Sequence, residues 1–192
     1  MPGLWLVGDT HFGHEKVSQI RGFDSTAAHD ESIVQRWSKA VQSGDRVIVL
    51  GDISSGSASG EVHALGILAS LPGSKWLIAG NHDSVSGIHR KPSPREGLFR
   101  DVFDRVTDYG RLRIEGRDIA LSHFPYKASG DGPGRGEARY GQFRLPDEGG
   151  LLVHAHTHHT VAVNGREMCV SWDAWRRMVN LGDIAHWVKG VA

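Results

Sequence analysis

"KWLIAGNHD" (Lys75–Asp83) joins an apolar run to a glycine, and the glycine to an amide, an imidazole and a carboxylate in succession. Short apolar runs bounded by glycine read as buried strands. The polar cluster then falls at the carboxyl end of the strand, where open α/β sheets collect their ligands. Four further stretches repeat the arrangement: "LWLVGDTH" (Leu4–His11), "RVIVLGD" (Arg46–Asp52), "DIALSHFP" (Asp118–Pro125) and "LLVHAHTH" (Leu151–His158). All five clusters can therefore converge in space. The last runs on to Thr160 as "LLVHAHTHHT", with four histidines in six positions. A basic patch would use lysine and arginine, and a core would use none of these residues. Imidazoles crowded at a strand end point to metal.

Helical spacing connects the strands. In "STAAHDESIVQRWSKAVQ" (Ser25–Gln42), Ile33, Val34, Trp37, Ala40 and Val41 share one helical face, with Ser25 or Thr26 as the cap. "GEVHALGILASLPG" (Gly60–Gly73) predicts a second helix, with Leu65, Leu68 and Leu71 inward and Pro72-Gly73 stopping it. "GLFRDVFDRV" (Gly97–Val106) predicts a third, short piece. The β-α-β-α-β opening argues for a parallel core. "RLRIEGRDIALSH" (Arg111–His123) then alternates and turns at Glu115–Asp118, and Asn164-Gly165 in "TVAVNGREMCV" marks a second hairpin, so the strand order is mixed. Lys127–Gly150 is rich in glycine and aperiodic. A loop of that length either serves function or is solvated, and Arg135, Arg139 and Tyr140 are its candidates for covering a substrate. Trp172, Trp175 and Trp187 are expected to pack in the C-terminal segment.

The strand ends carry an ordered set: Asp9 and His11 as D-x-H, Asp52 in GD, Asn81-His82-Asp83 in GNHD, His123 alone, and His156 and His158 as H-x-H. Mixed imidazole and carboxylate donors suit a borderline transition metal rather than magnesium or calcium. His123 by itself would be read as an ordinary core histidine. Within the ordered set it belongs with the others.

That set resembles the calcineurin-like metallophosphoesterase superfamily over residues 4–158. The tail "VSWDAW" (Val170–Trp175) looks like that of small phage and bacterial members. The resemblance implies an α/β fold, an αββα sandwich of two mixed sheets flanked by helices, with residues 1–192 as one domain. It also implies two divalent metal ions, manganese first, with iron, zinc or nickel as alternatives. Asp9, His11 and His158 would hold one ion; Asn81, His123 and His156 would hold the other; Asp52 would bridge them. A metal-bound hydroxide would attack phosphorus, as two-metal clamps do. His82 matches the proton donor to the leaving group, which places it with Asp52 and Asn81 as catalytic. Asp83 is expected to brace its loop rather than touch metal. His154 is expected beside a ligand and His159 in the cleft or in solvent. His14 divides evenly between cleft wall and solvent. His29, His63, His89 and His186 carry no motif and read as structural or solvent-facing.

Departures from the superfamily narrow the substrate. "GDISSGS" (Gly51–Ser57) has Ser55 and Gly56 where protein phosphatases of this type carry an orienting Asp and an Arg. Ser55 also stands where purple acid phosphatases carry a tyrosinate ligand. Ala155 replaces the usual glycine of the last block and is expected to crowd that turn slightly. What remains resembles small phosphodiesterases, with 2′,3′-cyclic nucleotides as the leading substrate. A nuclease, a phosphomonoesterase and a non-catalytic scaffold are the alternatives. With 22 basic and 22 acidic residues the formal charge is zero, which argues against a broad grip on duplex nucleic acid or a membrane. The single cysteine, Cys169, allows no internal disulfide, and the N-terminal stretch reads as a strand rather than a signal peptide. A cytoplasmic protein acting on a small molecule is expected, and the oligomeric state is not set by the sequence.

Overall fold

The structure, a computed structural model, describes residues 2–127, 131 and 139–191. Arg135 lies outside the described residues. Elements follow in the order β1 (Leu4–Val7), α1 (Glu15–Ile20), α2 (Thr26–Ala40), β2 (Arg46–Val49), α3 (Ala58–Ser70), β3 (Ser74–Ile78), α4 (Glu96–Val102), β4 (Arg105–Thr107), β5 (Tyr109–Ile114) and β6 (Arg117–Ser122). After the glycine-rich segment come β7 (Leu151–His154), β8 (Val163–Asn164), β9 (Glu167–Cys169), α5 (Trp172–Trp175), β10 (Val179–Asn180) and α6 (Leu181–Gly190).

Two five-stranded mixed sheets form, in the orders β10-β1-β2-β3-β4 and β5-β6-β7-β9-β8. In the first, β1 to β4 are parallel and β10 is antiparallel to β1. In the second, β6, β7 and β9 run parallel between two antiparallel edges. The expected class, two mixed sheets flanked by helices, is the one observed.

Alternation along the parallel strands divides the core. Val7, Val47, Val49 and Leu77 face Ile33 and Trp37 of α2, Leu65 and Leu68 of α3, and Phe99 of α4. Leu6, Ile48, Trp76 and Ile78 face the other way, onto Ile119, Leu121, Leu151, Val153 and Met168 of the second sheet. Successive side chains point to opposite faces, so strands sandwiched on both sides read as unbroken apolar runs. Ser25 caps α2 by accepting from the Ala28 amide at 3.1 Å. Leu65, Leu68 and Leu71 are buried as expected.

The last helix closes the end of the sandwich away from the strand tips. Ile184, Trp187 and Val188 enter the inter-sheet core. Trp187 donates to the Gly165 carbonyl in one hairpin turn, and Lys189 pairs with Glu115 in the other. Both turns differ slightly from expectation. The first is a two-residue loop, Glu115–Gly116, with both φ positive (51° and 75°) and Ile114 paired with Arg117, the twist that favours a hairpin. In the second, Asn164 pairs with Glu167, so Gly165-Arg166 forms the turn and Asn164 ends the strand.

Candidate metal centre

Each expected site residue lies just beyond a strand. Asp9 and His11 follow β1, Asp52 follows β2, Asn81 and His82 follow β3, His123 follows β6, and His156 and His158 follow β7. The chain must leave each strand and turn its side chains toward one point. It does so with left-handed backbone: Asp9 (φ 53°), His11 (49°), Asp52 (54°), His156 (68°) and His158 (52°). Five of the eight non-glycine residues with positive φ among those described are thus expected ligands. Such geometry costs energy at residues with a Cβ and gathers at functional sites.

Glycines provide the space. A Cβ on Gly51 would lie 2.4 Å from the Gly80 nitrogen and 2.7 Å from His123 Nδ1. The glycines of GD and GNHD therefore face each other. A Cβ on Gly8 would come within 2.5 Å of the Ala155 methyl. The Ala155 substitution is accommodated because Gly8 opposes it; Ala155 itself is fully buried and keeps an ordinary negative φ.

The ligand atoms form two groups. Asp9, His11 and His158 make one, Asp52, His123 and His156 the other, with the potential ligand atoms of each group within 4.8 Å of one another. Asp52 Oδ2 lies 3.5 Å from His123 Nε2 in its own group and 3.9 Å from His11 Nε2 in the other, the position a bridging carboxylate needs. Asn81 is buried, and its Oδ1 has no hydrogen-bond partner.

Partner groups fix which nitrogen of each ring is offered. His11 Nδ1 donates to the Ser54 carbonyl at 2.9 Å, His123 Nδ1 to the Leu50 carbonyl at 2.7 Å, and His158 Nδ1 to Asp173 Oδ2 at 2.7 Å. In the neutral ring each Nε2 is then left as a lone pair, the arrangement typical of metal-ligating histidine. The Nε2 atoms of His11 and His158 face each other at 3.2 Å. Two neutral imidazoles with both lone pairs inward repel unless a cation lies between them. The buried side-chain polar atoms without a hydrogen bond among the described residues are both carboxylate oxygens of Asp9, Asn81 Oδ1, His123 Nε2 and His156 Nε2. Leaving such groups unmatched is costly, and all five belong to the expected ligand set. The residues fit a divalent metal pair.

Electrostatics agree. Burial pushes the Asp9 carboxyl up, partly offset by His158 and His123. Burial also opposes ionisation of Asp52, but His123 and His11 outweigh it and hold that carboxyl well below its ordinary range. Burial would lower His123, yet Asp52 and Asp9 drive it up to about 9. His158 is raised against burial by Asp9 and Asp173. Burial holds His11 well below its usual value, and burial with His123 takes His156 to about 2. The carboxylates thus draw positive charge onto the neighbouring rings, a charge that a divalent ion held by these residues would supply directly.

Asp83 braces as expected. Its Oδ2 accepts from the Asp52 and Gly80 amides at 2.9 and 2.7 Å, and its Oδ1 from Ile53 at 3.1 Å. Burial and the Asp52 charge raise it to about 6. His82 stands at the open side of the cleft with 43% of its side chain exposed, Nε2 4.0 Å from Asp52 Oδ2. Its amide donates to Asp52 Oδ1 at 2.8 Å. His14, Arg139 and Asp173 line the same cleft of about 470 Å³. His14 is therefore cleft wall rather than free surface.

The His154 side chain bonds the backbone rather than a ligand: its Nδ1 donates to the Ala155 carbonyl, and burial lowers it to about 4. His159 Nε2 bonds the Asp131 carbonyl at 3.0 Å instead of entering the cleft. His29 and His63 both bond Asp30, at 2.8 and 2.9 Å, in keeping with a structural role.

Two acids escaped the sequence reading. Asp173, inside "VSWDAW", takes His158 on one side and Arg21 Nε and Nη2 on the other, at 2.9 and 2.7 Å. Asp131, in the glycine-rich segment, is buried with Oδ1 3.3 Å from His156 Nε2; it also pairs with Arg139 at 3.2 Å and with Arg144. Neither sits at a motif spacing from the ligand it meets: "VSWDAW" marked the stretch around Asp173 without its role, and nothing marked Asp131.

Comparison with known proteins bears on this geometry. The model of the calcineurin-like phosphoesterase family matches residues 3–160. The gene 66 protein of Mycobacterium phage L5 is 37% identical over 96% of this chain and 93% of its own length. The gene 66 protein of Mycobacterium phage D29 is 36% identical over 100% and 98%. A solved structure, a protein of unknown function from Aquifex aeolicus, shares the fold with a TM-score of 0.69 at 23% identity, over 97% of this chain and 99% of that one. Together with the two His/Asp clusters, the family match suggests a dinuclear divalent metal site in an enzyme that hydrolyses phosphoester bonds. The chain belongs to the calcineurin-like phosphoesterase family.

Proposed function

We propose that this protein is a metal-dependent phosphodiesterase acting on small phosphodiesters, with 2′,3′-cyclic nucleotides the first candidates. The observation that carries the reading is the pair of buried clusters around Asp52, with His82 exposed at the mouth of the same cleft. Asp9, His11 and His158 would hold one ion, Asn81, His123 and His156 the second, and Asp52 both. The two ions would supply Lewis acidity and an activated nucleophile; manganese is the proposed occupant, with iron, zinc or nickel fitting the same donors.

The chain's own residues do the rest. Asp52 takes the His82 amide and so fixes the loop that presents the imidazole. His82 then holds a proton at the departing oxygen, on the face open to substrate. Arg139 is the described arginine lining the metal cleft, and Asp131 already engages it. A dianionic monoester would need a freer clamp, and the single charge of a diester needs less. The one cysteine is buried, which suits a reducing compartment, and we assign the protein to the cytoplasm.

The test is turnover of bis(p-nitrophenyl) phosphate against p-nitrophenyl phosphate by the manganese-loaded protein. Diester preference is expected, and His82→Ala should lower kcat by about 100-fold or more while metal content stays. Monoester preference would move the protein to the phosphatases. No turnover with any divalent metal would return it to the scaffolds.

A further inference from the structure

A second groove of about 620 Å³ opens from the metal cleft on the His82 side. It touches Asn81 and His82 but none of His11, His156 and His158. Its far wall is the loop tip His89-Arg90-Lys91, all three side chains exposed. No carboxylate lines it. Arg90 and Lys91 have no ion-pair partner among the described residues. In a chain with no net charge, the groove that His82 borders thus carries two unpaired cations and no acid.

The loop is held firmly. Glu61, fully buried on α3, accepts from the Ser84 amide and hydroxyl at 2.5 and 2.8 Å and from Arg95 Nε at 2.6 Å. Ser93 Oγ meets Ser84 Oγ at 2.5 Å. Asp108 accepts from Ser86 Oγ and the Gly87 amide, both at 3.0 Å. The loop backbone is therefore held on both sides of the tip by Glu61 and Asp108, and the ordering cost of binding falls chiefly on the Arg90 and Lys91 side chains.

We infer that this groove binds a second phosphate carried on the leaving side of the substrate. This rests on the phosphodiesterase reading and narrows it. In hydrolysis, the water oxygen bonds to phosphorus, the P–O bond to the departing alcohol breaks, and that oxygen takes a proton from His82. The alcohol then lies on the His82 side, where the groove begins. The ligand class is a phosphodiester whose alcohol portion bears its own phosphate, such as a nucleoside 5′-phosphate 2′,3′-cyclic phosphate. A plain cyclic nucleotide leaves the groove without a matching charge.

Two readouts test this on the full-length manganese-loaded protein. In calorimetry, adenosine 3′,5′-bisphosphate should bind about tenfold tighter than adenosine 3′-phosphate at low salt, and the preference should shrink as salt rises. In Arg90→Ala/Lys91→Ala, which changes two exposed side chains, the two ligands should bind alike. In turnover, the 5′-phosphorylated 2′,3′-cyclic adenosine phosphate should exceed its unphosphorylated counterpart in kcat/KM by a similar factor, again lost in the double variant. Turnover of bis(p-nitrophenyl) phosphate should be the same in both proteins. Equal binding of the two adenosine ligands by the wild-type protein, or a preference that survives the double substitution, overturns the inference. Failure to cleave any diester overturns the phosphodiesterase reading instead, and calorimetry still decides the groove.

Discussion

Asp173 reaches the metal cleft from outside the five strand-end clusters. It accepts from His158 Nδ1, so His158 is held with Nε2 inward. Two bonds from Arg21 hold Asp173 in turn, and Arg21 Nη2 continues to the Asp9 carbonyl at 2.7 Å. One arginine thus ties the first ligand loop to the orienter of the last. His158 and Arg21 together hold the Asp173 carboxyl far below its ordinary value against the effect of burial. Asp173→Asn should keep the fold and weaken binding at the Asp9–His11–His158 site by about 10- to 100-fold. Competition with a chelator measures this, and an unchanged affinity would remove Asp173 from the site. The candidate ligands were legible because D-x-H, GNHD and H-x-H each follow an apolar run, and the structure brings Asp9, His11 and His158 together and Asp52, His123 and His156 together. Asp173, Arg21 and Asp131 were not, since their roles depend on contacts across 152 residues for Arg21 and Asp173 and on a segment without periodicity.

At the level of elements, the glycines and the strained turns are one device. Five expected ligands adopt positive φ, and the glycines between them let the turns approach closely. Gly51 shows both demands, with φ of 78° and no room for a Cβ against Gly80. Gly51→Ala should destabilise the protein by at least about 1–2 kcal/mol from the left-handed backbone alone, and the contact with Gly80 should displace Asp52 as well. Thermal unfolding and metal titration on the same sample check this; a variant with wild-type stability and metal affinity would show that the glycine is incidental. The apolar runs predicted where β1, β2, β3, β6 and β7 lie and that a polar cluster follows each, but not the backbone of the turns. In "LWLVGDTH" β1 ends at Val7 and Asp9 and His11 follow at positive φ, which no residue pattern announces. The short elements β4, β10 and α1 carry too few residues for periodicity to detect. The second hairpin turned one residue later than Asn-Gly alone indicated, because Asn164 is paired with Glu167.

Across the whole molecule, the two sheets divide the work. The first has α2, α3 and α4 on its outer face, and it supplies Asp9, Asp52, Asn81 and His82. The second supplies His123, His156 and His158. The candidate metal centre is therefore assembled only when the sheets pack across the shared core of Leu6, Ile48, Ile78, Leu121 and Val153. Mixed strand order was legible from the two hairpins. The docking of the sheets was not, since it depends on which apolar face meets which. No helix among the described residues is long and apolar enough to cross a membrane.

Two divalent ions would satisfy the buried polar atoms of Asp9, Asn81, His123 and His156 that lack a hydrogen bond. Metal stoichiometry by elemental analysis of the manganese-reconstituted, gel-filtered protein, with thermal unfolding before and after loading, tests it most directly. Two ions per chain and a raised Tm are expected, since ligands that bind only the folded state stabilise it. Fewer than one ion per chain, with an unchanged Tm, would contradict it.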